Sequence, residues 1–194
     1  MVRAVLGVMM MVLLAACSSS ADLEDTPVPL GDFRLEHNIV VASKAQRGPL
    51  SRPATEEQLQ EAVRSAMAER FGRYQGPSRY HFGVSVEGYV LAQPGIPLVL
   101  APKSALILLV TVYDDAAGKK LNEKPEQITV LETFGTAPII GTGYTMTAEE
   151  QLKELSQNAA KAVERFLVRQ QKEEGWFTPD VATTLDETQD PATN

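Results

Sequence analysis

Long apolar runs, cysteines and histidines are what this 194-residue sequence has least of. The apolar stretch near the N-terminus extends without charge only from Ala4 to Leu14 before small residues take over. That is too short for a membrane-spanning helix, which needs roughly twenty residues rising 1.5 Å each. Cys17 is the only cysteine, so no disulfide can form within the chain. The two histidines, His37 and His81, each fall inside a predicted strand with no Glu or Cys at ligand spacing. A transition-metal site draws on three or four such ligands, so both read as strand histidines satisfied by hydrogen bonds or water. No metal and no cofactor is expected. There is no Gly-x-Ser-x-Gly pentad for a nucleophile elbow. No Lys-Ser/Thr follows Gly141-Thr142-Gly143, which therefore reads as a link between sheet and helix and not as a phosphate cradle. The formal net charge is −7. A nucleic-acid binder needs a basic field to neutralise phosphates, so that class is set aside.

What is present begins at the N-terminus. Met1-Val2-Arg3 supplies a cation, Ala4–Leu14 an apolar core, and Leu14-Ala15-Ala16 a small-residue cleavage site before Cys17 and Ser18-Ser19-Ser20. This is the three-part form of an export signal, removed from the mature chain. Leu14-Ala15-Ala16-Cys17 resembles the lipobox of bacterial lipoproteins processed by signal peptidase II. The resemblance implies a signal peptide over 1–16, cleavage before Cys17 and a diacylglyceryl thioether with palmitate-type acylation on that residue. Three acyl chains at about 0.8 kcal/mol per buried methylene make a durable anchor. In such lipoproteins an aspartate after the cysteine retains the protein at the inner membrane. Ser18 stands in that place, and the resemblance implies the periplasmic face of the outer membrane.

Without residues 1–16 the chain loses one base, Arg3, and carries 17 basic against 25 acidic residues, a net −8. The excess lies at the ends. Asp22, Glu24 and Asp25 stand without a base in residues 18–31, as do Asp180, Asp186, Glu187 and Asp190 in 178–194. Both stretches are polar and proline-containing, and predict a flexible lipidated tether over 17–31 and a disordered acidic tail over 178–194. Residues 32–177 remain as one domain with one core.

Within it, Phe33, Leu35, His37, Ile39 and Val41 alternate as one side of a first strand. Thr55-Glu56-Glu57-Gln58 has the form of a capping box, and Leu59, Ala62, Val63, Ala66, Met67 and Phe71 follow at helical spacing up to Gly72. In the second strand Tyr80, Phe82, Val84, Val86 and Val90 face His81, Ser85, Glu87 and Tyr89 on a wet side. Residues 105–113 predict a central strand and 127–134 a fourth. Thr147-Ala148-Glu149-Glu150 repeats the capping box before a stripe of Leu152, Leu155, Ala159, Ala162, Val163, Phe166 and Leu167 that ends at Gly175. The paired carboxylates Glu56/Glu57 and Glu149/Glu150 sit where they favour a helix dipole, and read as structural. The expected fold is α+β, with a mostly antiparallel four-stranded sheet and two helices packed on one face in the order β-α-β-β-β-α. Over 32–172 that order resembles small envelope lipoproteins such as the lipopolysaccharide-assembly lipoprotein LptE and the auxiliary lipoproteins of lipid transporters.

Three features suit binding. Lys161, Arg165 and Arg169 form a basic stripe that reads as a solvated face paired with Glu164 and Glu173, or as a rest for anionic headgroups. In the proline-rich loop 94–102, Ile96, Leu98, Val99 and Leu100 either fold under the sheet edge or face a partner. If Leu106, Leu108, Val110 and Val112 face the helices, then Ile107, Leu109 and Tyr113 join Tyr89, Leu91 and Leu131 on the opposite face. That face is then covered by the tails or the 92–104 loop, or it binds something. The chain reads as a non-enzymatic, membrane-anchored envelope lipoprotein that serves as an accessory or interaction subunit in envelope assembly or transport. The alternatives are a carrier of a lipid-like small molecule and an envelope hydrolase with an unrecognised site.

Overall fold

The computed structural model describes residues 21–93, 104–132 and 146–178. Both helices start where the capping boxes place them. Helix α1, Glu56–Phe71, opens on Thr55, whose hydroxyl accepts from Gln58 N–H while the Gln58 side chain accepts from Thr55 N–H. Helix α2, Ala148–Glu174, opens on Thr147 and Glu150 in the same reciprocal way. Gly72 closes the first helix. Gly175 closes the second at φ 71°, a left-handed position where a side chain would be strained.

The sheet has six strands among the described residues: β1 Phe33–Val41, β2 Gln46–Arg47, β3 Ser78–Val90, β4 Ala105–Asp114, β5 Lys119–Lys120 and β6 Glu126–Leu131. Its centre is β3 paired antiparallel to β4. Short β2 continues the line of β1 along β3, and β5 and β6 share the far side of β4, so the sheet is four positions wide. The expectation of a mostly antiparallel four-stranded sheet is corrected in two respects. Two short strands extend the edges, and the sheet is mixed, because β1 and β2 run parallel to β3. The reason is connectivity. A helix lies between β1 and β3, and a strand–helix–strand crossover between neighbours returns the chain in the same direction. Strand β6 ends at Leu131, short of the predicted 134; residues 133–145 lie outside the described residues.

One face of the sheet is packed by both helices, α1 over β1 and α2 over β4 and β6. Leu106, Leu108, Val110 and Val112 point into that core, as their parity predicts. Two bulges defeat the simple alternation elsewhere. In β1 the register slips between Leu35 and His37, so Phe33 points inward whereas His37, Ile39 and Val41 turn outward, and Val40 and Ala42 take over the core face. In β3 the slip between Val86 and Gly88 turns Tyr89 inward, opposite Leu106, and Leu91 beyond it is also buried. Tyr89 and Leu91 therefore leave the outer face to which alternation assigned them. An extra residue on one strand of a pair inverts every side chain beyond it.

The segment expected to be a flexible tether is docked over residues 21–31. Ala21–Leu23 forms a 3-10 turn, Leu30 is buried in the core, and Asp32 N–H donates to Phe177 O at 3.0 Å. Composition pointed to disorder because the segment holds few apolar residues, but a buried arginine supplies the ordering energy that apolar area does not.

Phe33 is wholly buried at the centre of a ring cluster. It stacks on Tyr80 and Phe82 at 5.5 and 5.8 Å, and meets Phe71, Tyr74 and Phe177 edge-on. Phe33→Ala is expected to lower unfolding free energy by about 3–5 kcal/mol in urea titration. A loss below about 1 kcal/mol would show that the cluster is not the keystone of this end of the core.

Candidate functional site

The outer sheet face is built by β1, β3, β4 and β6. Its apolar residues are Ile39 at 64% exposure, Leu131 at 55%, Val41 at 46% and Tyr113 at 36%, with Ile107 and Leu109 half-buried between them. Ile107, Leu109 and Tyr113 thus stand on the expected face. Alternation missed Ile39 and Val41 because the β1 bulge lies upstream of them. The signal for it was faint: polar His37 stands on the otherwise apolar side of the alternation and apolar Val40 on the polar side.

The same bulge brings the two histidines together. His37 sits beside His81 across the parallel pair, their rings stacked with centroids 4.9 Å apart. His81 Nε2 lies 3.0 Å from Asp115 Oδ1, and Arg79 pairs with the other carboxylate oxygen at 3.0 Å. Asp115 is held below the usual carboxylate range by the His81 contact. Among the described residues no group of three or more His, Cys, Asp or Glu side chains is placed to hold a metal. None of the described helices is long and apolar enough to cross a membrane.

The helix side of the domain carries a different feature. Arg70 lies on the inward stripe of α1 and is only 1% exposed. Its guanidinium donates to both Asp22 carboxylate oxygens, at 3.0 and 3.1 Å, and to Glu164 Oε2 at 2.9 Å. Tyr74 donates its hydroxyl to Glu164 Oε1 at 2.7 Å, and Arg73 reaches the same oxygen at 3.4 Å. Burial, and then the Glu164 hydrogen bond, push the Tyr74 hydroxyl well above the ordinary tyrosine range. Arg73 also donates to the carbonyls of Leu23 and Asp25, each at 3.1 Å, and Lys161 closes on Asp22 at 3.1 Å. The Arg70 hydrogen bond holds the Asp22 carboxyl down at about 2, against the opposing effect of its partial burial. In the sequence, the signal was a charge at each of two positions that helical spacing places toward the core, Arg70 beside Phe71 and Glu164 beside Val163. The basic stripe is paired otherwise than expected. Lys161 binds Asp22 and Arg169 binds Glu126 at 2.9 Å, while Glu164 serves Arg70.

Between α1 and the first half of α2 lies a groove of about 530 Å³. Ala62, Ala66, Leu91 and Leu152 line its apolar part, and Glu57, Glu61, Glu149 and Lys153 its charged part. Sequence reasoning did not find it, because each helix alone shows only small residues beside its apolar stripe. Leu14, Ala15, Ala16 and Cys17, the loop residues Ile96, Leu98, Val99 and Leu100, Gly141-Thr142-Gly143 and the 179–194 tail lie outside the described residues.

No protein-family model and no curated protein matches this sequence. Its fold is similar to several solved structures. A Xanthomonas campestris protein of family DUF330 is 16% identical with a TM-score of 0.43, over 77% of this chain and 94% of that one. The PelC dodecamer from Paraburkholderia phytofirmans is 9% identical with a TM-score of 0.38, over 70% and 91%. A minor lipoprotein from Acinetobacter baumannii is 15% identical with a TM-score of 0.28, over 66% and 93%.

The Asp22 clamp has a definite pH signature. A carboxyl whose folded-state pKa is depressed contributes stability that is complete above its ordinary value of 3.8 and is lost as pH falls toward about 2. Asp22→Asn is therefore expected to melt below the wild type at pH 7, with the gap narrowing between pH 4 and 2. Arg70→Met, which takes the partner from Glu164 Oε2 and leaves that carboxylate only Tyr74 and Arg73, is expected to cost about 3 kcal/mol at neutral pH. A wild-type-to-Asn gap that stays constant across that acid range would disprove the clamp.

Proposed function

We propose that this chain is a lipid-anchored cell-envelope lipoprotein without catalytic activity, whose outer sheet face binds a protein partner as an accessory subunit in envelope assembly or transport. The observation that carries the interaction reading is the asymmetry of the sheet. One face is sealed by two helices, while the other leaves Ile39, Val41, Tyr113 and Leu131 open to solvent. Exposed apolar side chains gathered on one sheet face mark interaction sites more often than single scattered residues do. The lipobox-like Leu14-Ala15-Ala16-Cys17 supports the anchor, and Ser18 supports the periplasmic face of the outer membrane.

Ile39 and Leu131 are the most exposed of these residues, so the pair Ile39→Ser and Leu131→Ser is expected to leave the melting temperature almost unchanged. Crosslinking in intact cells followed by mild detergent purification is expected to recover a stoichiometric envelope protein with the wild type and to lose it with the double variant. Recovery of the same proteins at the same yield from both would end the sheet-face reading.

The groove favours a second reading, a carrier of a lipid-like small molecule. Its volume falls in the range of small-molecule sites, and its apolar lining with charged groups suits an amphiphile. Native mass spectrometry of the purified protein separates the two: a bound lipid lost on Ala62→Trp supports the carrier.

Cys17→Ser is expected to leave circular dichroism and melting unchanged while the protein moves from the membrane to the soluble fraction or stays uncleaved. Membrane retention of a cleaved Cys17→Ser chain would overturn the anchor.

A further inference from the structure

The way residues 21–31 are held decides which side of the domain would meet the membrane. At its C-terminal end the segment is pinned to the last turns of α2. The Gln171 amide, oriented with its nitrogen toward Pro29, donates to Pro29 O and accepts from Gly31 N–H, both at 3.2 Å. At its N-terminal end it is pinned by Asp22 to Lys161 of α2 and Arg70 of α1. The two pins are ten residues apart on α2, about 15 Å along its axis. The segment is therefore a strap laid along the second half of α2 and running in the same direction, on the helix side of the domain.

Cys17 precedes Asp22 by five residues. A fully extended chain of that length spans at most about 18 Å. An anchor at Cys17 thus fixes the Asp22 clamp within about 18 Å of the lipid, and the clamp belongs to the helix layer, with the sheet on the far side of it. We infer that the α2 side of the helix layer rests on the lipid headgroups and that the bare sheet face points away from the membrane; this rests on the lipoprotein reading above. The charge pattern favours α2 over α1 as the contacting helix. The exposed charges of α2 balance, Lys153, Arg165, Arg169 and Lys172 against Glu149, Glu150, Glu173 and Glu174, whereas α1 exposes Glu56, Glu57, Glu61 and Glu69 against Arg64 alone. Anionic headgroups therefore repel α1 and tolerate α2, whose bases can turn toward them.

Lysine reactivity reads the orientation directly. Lys153 and Lys172 lie exposed on α2, while Lys119 and Lys120 lie exposed on β5 and Lys44 and Lys124 on the strand connections. The full-length lipidated protein is reconstituted in vesicles of phosphatidylethanolamine and phosphatidylglycerol, acetylated with a water-soluble ester and compared by peptide mass spectrometry with the Cys17→Ser protein in solution. The same spectra report whether Cys17 is acylated. Lys153 and Lys172 are expected to lose reactivity at least about threefold, with the other four unchanged. Asp22→Asn, and independently a flexible spacer of about ten residues inserted between Ser20 and Ala21, are expected to restore both lysines to their solution reactivity. An acylated Cys17 with uniform labelling, or with protection confined to Lys44, Lys119, Lys120 and Lys124, would overturn the orientation and leave the anchor standing. Protection that survives both the variant and the spacer would overturn the role of the clamp, and an unmodified Cys17 would overturn both readings.

Discussion

A buried guanidinium organises the helix side of this protein. Arg70 cannot be deprotonated and is almost fully shielded from water, so its charge must be met inside the protein. Glu164 takes one hydrogen bond from Nη1, and Asp22 takes two, one from each terminal nitrogen. Each carboxylate comes from a different part of the chain, one from α2 and one from the segment before β1. A single desolvated charge therefore fixes the spacing of the two helices and orders an acidic stretch that has few other reasons to be ordered. Arg73, Tyr74 and Lys161 complete the network by saturating the remaining carboxylate oxygens and backbone carbonyls. Such an ion cluster contributes less to net stability than to specificity, because the desolvation of its members offsets much of their attraction.

On the sheet side the corresponding constraint is the pair of bulges. Each places a glutamate, Glu36 or Glu87, at the slipped register, and each exchanges the faces of the residues beyond it. In β3 the exchange brings the Tyr89 hydroxyl onto Ala54, where it bonds both backbone groups of that residue and secures the loop before α1. In β1 it sends Ile39 and Val41 outward and aligns His37 with His81. The bulges thus spend part of the regular alternation on anchoring a loop at one end and on building an apolar outer surface at the other.

These features differ in how far the sequence discloses them. The capping residues Thr55 and Thr147 and the closing glycines Gly72 and Gly175 are local signals, and both helices obey them closely. The parity of β4 is legible because no bulge interrupts it, which is why Ile107, Leu109 and Tyr113 fall on the expected face. Alternation fails in β1 and β3 because a bulge is a property of two paired strands and leaves only a weak mark on one. The parallel pairing of β1 follows from the intervening helix, but only once β1 and β3 are known to be neighbours. The strap was misread for a related reason. Composition measures how much apolar area a segment can bury, whereas Asp22 is held by charges lying 48, 51 and 139 residues away in sequence at Arg70, Arg73 and Lys161.

The open sheet face itself needs an explanation beyond strand propensity. Ile39, Val41 and Tyr113 are residue types that favour extended backbone, so their presence alone is weak evidence of binding. Leu109 and Leu131 lack that excuse, being neither β-branched nor aromatic, yet both stand on the outer face. Edge pairing is also a poor account of the surface. The outer edge on the β1 side is interrupted by the Glu36 bulge and continues only as two-residue β2, while two-residue β5 breaks the line on the other side, and all of these discourage strand addition. What the sheet leaves open is therefore its face and not its edges, with polar Gln127 and Thr129 of β6 along its margin.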